Sequence, residues 1–102
     1  MGDLCKEAQE YVERRAARQR QAGRLVAFRL ATGMDLDRVL ASAPAEMHHA
    51  VLKLERLLER ERLRGWARHW TYDLNRHIAL GEALGELRTA LAVSAKRLRA
   101  SP

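Results

Sequence analysis

Six arginines (Arg14, Arg15, Arg18, Arg20, Arg24 and Arg29) fall between positions 14 and 34, and no acidic residue stands among them. A guanidinium stays charged at physiological pH and presents a planar fork of donors, so it grips phosphate and carboxylate oxygens in pairs. A run of this kind without counter-charges needs an anion, a polar pocket or water. Position sharpens the question. On a helical projection Leu4, Ala8, Tyr11, Ala22 and Val26 share one face; Arg15 falls at its centre and Arg18 at its edge. An unpaired guanidinium in a core is prohibitively costly. Three arrangements resolve this. The helix projects beyond the bundle and Arg14, Arg15 and Arg18 are solvated; or they pair with Glu55, Glu59 and Glu61; or they hold an external anion.

A second constellation runs from Arg62 to Tyr72. It gathers Arg62, Arg64, Trp66, Arg68, His69, Trp70 and Tyr72 with no acid before Asp73. Basic residues interleaved with aromatics suit single-stranded nucleic acid, where bases stack on rings while arginine neutralises phosphate. The same mixture suits a membrane interface or a protein hot spot. A plainer reading has Trp66 and Trp70, four apart, plugging one end of a helical bundle. The functional expectation is a non-enzymatic binding or regulatory protein. It would associate with nucleic acid through Arg14, Arg15, Arg18, Arg20 and Arg24 together with Arg62, Arg64, Trp66, Arg68 and Trp70. The alternative is an adaptor or inhibitor that docks on an acidic protein surface.

Other chemistry finds little support. There is no glycine-rich phosphate loop, nucleophile elbow or recognisable carboxylate pair. His48 and His49 are adjacent and point about 100° apart on a helix, so they cannot both face one ion. Asp73 and His77 are spaced for a hydrogen bond, and further metal ligands are lacking. The region from Leu36 to Leu57 has the proportions of a helix-turn-helix. Its second helix, however, opens with an acid and offers only His48, His49, Lys53 and Arg56 to bases or phosphates. Cys5 reads as an inert thiol. No metal, cofactor or small-molecule substrate is expected.

These residues must be carried by helices. The chain has 102 residues, 31% of them charged, with little aromatic content and only two prolines. Leu and Ala dominate, which favours helix over strand. Helices are predicted at about 3–31, 35–41, 44–64 and 72–99. In the first, Lys6–Glu10 and Glu10–Arg14 are supporting i,i+4 pairs; Leu4, Ala8, Tyr11, Val12, Ala22, Val26 and Leu30 form its apolar face. Gly23 is a possible kink, and Gly33 a C-terminal stop. Asp35 suits the cap of a short helix, and Pro44 the first turn of the next. There Met47, Ala50, Val51, Leu54, Leu57 and Leu58 form a stripe that fades at Glu61, with Gly65 as a stop or kink.

In the last helix His77, Leu80, Leu84, Leu87, Leu91, Ser94 and Leu98 alternate three and four apart, as in bundle or coiled-coil packing. Leu74, Ile78, Gly81 and Gly85 adjoin them. Two interior glycines cost about 1 kcal/mol each relative to Ala. A helix packed close on the Gly81-x-x-x-Gly85 groove would offset that. The expected fold is a single all-α domain, a small bundle of three long helices and one short one. A homodimer is expected through Leu80, Leu84, Leu87, Leu91, Leu98, Gly81 and Gly85, and Leu52 and Leu63, off their helix's main stripe, point the same way.

Composition bounds the partners. The net charge is +6, which attracts nucleic acid, anionic membrane or acidic proteins. Arginine outnumbers lysine sixteen to three, an excess that GC-rich coding alone can supply. One cysteine excludes an internal disulfide and suits a reducing compartment. No apolar run approaches membrane-spanning length, and no signal-peptide core is present. A cytoplasmic location is expected.

Overall fold

The structure, a computed structural model, describes residues 2–66 and 74–100. The fold is all-α: α1 spans Gly2–Thr32, α2 Leu36–Leu40, α3 Pro44–Trp66 and α4 Leu74–Ala100. The predicted boundaries hold to within two residues, except that residues 72 and 73 lie outside those described. The suspected break at Gly23 does not interrupt its helix. α1 runs through Gly23, because one glycine costs about 1 kcal/mol and the surrounding turns outweigh it; α3 is described to Trp66, one residue past Gly65.

The helix ends are closed by named groups. Gly33 takes φ 76°, a left-handed conformation that a side chain disfavours, and its N–H donates to the Arg29 carbonyl at 2.8 Å. Thr32 Oγ1 donates to the Phe28 carbonyl at 2.7 Å and accepts from Met34 N at 3.1 Å. Lys53 Nζ, reaching over from α3, donates to the Thr32 carbonyl at 3.0 Å. A cation on the last carbonyls of a helix also meets the negative end of its dipole. Asp35 caps α2 as expected, accepting from Asp37 N at 3.0 Å and Arg38 N at 3.5 Å. Pro44 opens α3, where its missing N–H has no partner to lose.

The core is assembled from all four helices. Phe28 comes from α1, Leu36 and Val39 from α2, Met47, Ala50, Val51 and Leu54 from α3, and Leu80, Ala83, Leu84 and Leu87 from α4. The α3 stripe is the one read from the sequence, but it does not end at Glu61. That carboxylate continues it, buried and paired with Arg76.

α1 is rotated relative to expectation. Its apolar face was to pack, yet Leu4, Tyr11, Val12, Val26 and Leu30 are 57–80% exposed, and Ala8 and Ala22 are exposed too. The buried side instead carries Arg24, Leu25, Ala27, Phe28, Ala31 and Thr32, about 180° away around the helix at 3.6 residues per turn. Burial also begins late. From Asp3 to Gly23 every residue is exposed except Ala16, which is half-buried. The core takes nothing from α1 before Leu25. A helix of 31 residues is about 46 Å long, so most of it stands clear of the bundle. The radius of gyration is accordingly 17.1 Å, against about 13 Å for a compact chain of this size.

The α4 seam is also used differently. Leu80, Leu84 and Leu87 are buried inside this chain and Leu91 half-buried, so they do not form a free seam for a second copy; Leu98 is 69% exposed. Gly81 and Gly85 are exposed, and a Cβ at either would meet nothing within 4 Å. Among the described residues, no helix packs close on that groove. Gly81→Ala and Gly85→Ala are therefore each expected to raise stability by about 1 kcal/mol, measured by urea denaturation. A loss of stability would mean that another surface occupies the groove.

Candidate nucleic-acid interface

Of the six arginines of the first run, Arg24 is held by the bundle, while the other five, Arg29 beyond it included, are exposed. Arg24 is the first α1 residue turned into the bundle, with its side chain 19% exposed. Its Nη1 donates to Glu82 Oε2 at 2.9 Å, and Nη2 to Gln21 Oε1 at 2.8 Å. Its Nε lies 2.6 Å from Glu86 Oε1. Glu82 and Glu86 are i,i+4 on α4, so one face of that helix presents two carboxylates to one guanidinium. The hydrogen bond to Glu82 chiefly, with the charge of Glu86, raises the Arg24 pKa above its ordinary value despite desolvation. Arg24 therefore ties α1 to α4 and has no fork left for an external anion.

Toward the N-terminus the arginines are exposed. Arg14 lies 4.0 Å from Glu10 and donates through Nε to the Glu10 carbonyl at 3.3 Å. Among the described residues, Arg15, Arg18 and Arg20 have no acidic partner. The three acids considered for them are committed elsewhere. Glu55 receives Arg88 at 3.1 Å, Glu59 receives Arg62 at 2.7 Å, and Glu61 receives Arg76. Arg15 thus sits on an apolar stripe without any burial cost, because that stripe faces solvent.

The second constellation contributes less. Arg62 is held by Glu59 one helical turn away; the bond raises the Arg62 pKa and lowers that of Glu59. Both are exposed, so salt weakens this pair. Arg64 is exposed. The Trp66 side chain, Arg68 and Trp70 lie outside what the structure describes, and with them the question of whether the two basic segments share one surface. The short helix, turn and second helix considered for a helix-turn-helix are α2, residues 41–43 and α3. α2 has five residues, two of them in the core, and Lys53 is turned onto the Thr32 carbonyl. Among the described residues no three acids, histidines or cysteines cluster as metal ligands, and no helix is long and apolar enough to cross a membrane.

Sequence reasoning missed Glu82, Glu86 and Phe28. A signal for the first two existed: an i,i+4 acidic pair on a helix with no partner on its own helix invites a guanidinium from a neighbour. Comparison with protein-family models, with curated proteins and with solved structures found no match.

The split within the arginine run is directly measurable. Arg24→Ala removes charged hydrogen bonds at a partly exposed site and is expected to cost about 1–2 kcal/mol. Arg15→Ala, on an exposed site without partners, should stay within about 0.5 kcal/mol of wild type. Urea denaturation of the two variants side by side distinguishes an anchor from a free cation.

Proposed function

We propose that this chain is a non-enzymatic nucleic-acid-associating protein that offers the exposed part of α1 to the phosphate backbone. The observation that carries the reading is that, among the described residues, Arg15, Arg18 and Arg20 have no acidic partner on a helix standing clear of the core. Arginines needed for structure lie elsewhere, on Glu82 and Glu86, Glu55 and Glu61. These three are left with their donor forks open.

Geometry adds a second argument. Arg18 and Arg20 project about 160° apart around the helix at 3.6 residues per turn. A helix lying in a major groove about 12 Å wide would send them to phosphates on opposite walls. Arg15, about 60° from Arg18 around the helix, would supply a third contact on the Arg18 side. Such contacts position a helix on the duplex but read no bases. Binding would then depend little on sequence and steeply on salt.

Anisotropy of a labelled random duplex, titrated at several salt concentrations from about 50 mM upward, is the test. Each phosphate contact contributes about 0.9 to the slope of log affinity against log salt. The Arg15→Gln/Arg18→Gln/Arg20→Gln protein should therefore show weaker binding and a slope shallower by about 2.7. No binding by the wild type at about 50 mM salt would end this reading in favour of an acidic protein partner.

A further inference from the structure

The outward side of α1 carries more than charge. Leu4, Ala8, Tyr11, Val12 and Ala22 form an exposed apolar stripe along it, with Arg15 in its middle. Leu4 is 75% exposed, Tyr11 57% and Val12 63%. Most helical stability in proteins comes from packing an amphipathic face, and among the described residues nothing covers this one. The body of the molecule hangs from the opposite side of α1, through Leu25, Phe28 and Thr32, so it does not obstruct the stripe.

The charges specify what fits there. All acids of α1 lie in its first part (Asp3, Glu7, Glu10 and Glu13), and every basic residue but Lys6 lies from Arg14 onward. Laid parallel, two such helices set like charge on like. Laid antiparallel, each acidic end meets a basic end. The best-placed pair is Glu7 and Arg18. They are eleven residues apart and so fall within about 20° of each other on the helix, flanking the apolar stripe. Both are exposed, and neither has a salt-bridge partner within the described residues.

We propose that this face of α1 is an antiparallel pairing surface for a second copy of the chain. With the two-fold axis between Val12 and Glu13, Glu7 of each copy meets Arg18 of the other, and the contact occurs twice because the interface is isologous. Arg15 lies over the partner's Tyr11, with its stem on the apolar stripe and its guanidinium on the ring. The overlap runs from Asp3 to Ala22, about 30 Å of helix. It ends where α1 enters its own bundle, so the two bodies do not collide. The pairing does not rest on the nucleic-acid reading. It engages Arg15 and Arg18 of the same helix, so the paired helix and the phosphate-bound helix are alternative states, and it is decided by a measurement containing no nucleic acid.

The experiment is sedimentation equilibrium of the full chain and two charge-reversed variants, each alone and then mixed. The wild type is expected to show a concentration-dependent monomer–dimer equilibrium that weakens with salt. Glu7→Arg sets arginine against Arg18 twice, and Arg18→Glu sets Glu7 against glutamate twice. Each variant alone should dimerise at least about tenfold more weakly, since like charges across an interface repel strongly. An equimolar mixture restores both opposite-charge contacts and should recover the dimer. Both positions are exposed, so the fold is not at stake, and recovery on mixing could not come from misfolded chains. A wild type that stays monomeric through the micromolar range overturns the proposal. So do variants that dimerise as well as wild type, or a mixture that stays monomeric.

Discussion

The structure turns on which side of α1 the bundle accepts. Phe28 is the chain's sole phenylalanine and is fully buried. It contributes about 2–3 kcal/mol of apolar burial, and no other residue of α1 brings comparable area to the core. Leu25, Ala27 and Ala31 are half-buried around it, and Arg24 reaches Glu82 and Glu86 one turn earlier. Once this side is turned inward, the opposite side with Leu4, Tyr11, Val12, Val26 and Leu30 must face water. The exposure of Arg15 and the open apolar stripe follow from that one rotation.

Size enforces the same outcome. A chain of 102 residues has one modest core, and α3 and α4 already fill most of it. Only the last two turns of α1 find a place there, with α2 closing one end through Leu36 and Val39. Among the described residues, no surface of the chain covers the remainder of α1. Its charges then sort by position. Near the bundle, Arg24 is neutralised by two carboxylates. Away from it, Arg15, Arg18 and Arg20 have no acidic partner among the described residues. The functional proposals concern this second group because it is the part of the charge that the fold does not consume.

Much of the architecture was legible beforehand. The four helices, the Asp35 cap, the Gly33 stop and the α3 stripe came from local rules: capping side chains, left-handed glycine and apolar spacing all act over one or two turns. The α4 seam was read correctly as apolar but assigned to a second copy, because periodicity shows that a face is buried without showing by what. The site fared less well. That Arg15 lacked a place in a core was visible. That Arg24 was an anchor was not, since Glu82 lies 58 residues further along the chain.

The sequence by itself determined where this chain is helical, where its helices end and how its charge is segregated along α1. Those properties depend on neighbours within a few residues. Only the tertiary structure decided which side of α1 is core, because that helix has two apolar sides, one with most of the large residues and one with Phe28. Counting apolar residues favours the first. The shape of the groove formed by α2, α3 and α4 selects the second, since close packing rewards the side chain that fills the available volume rather than the longest stripe. With that selection made, the arginine in the middle of the stripe stands in water, and the longest helix of the molecule keeps its most adhesive face turned outward.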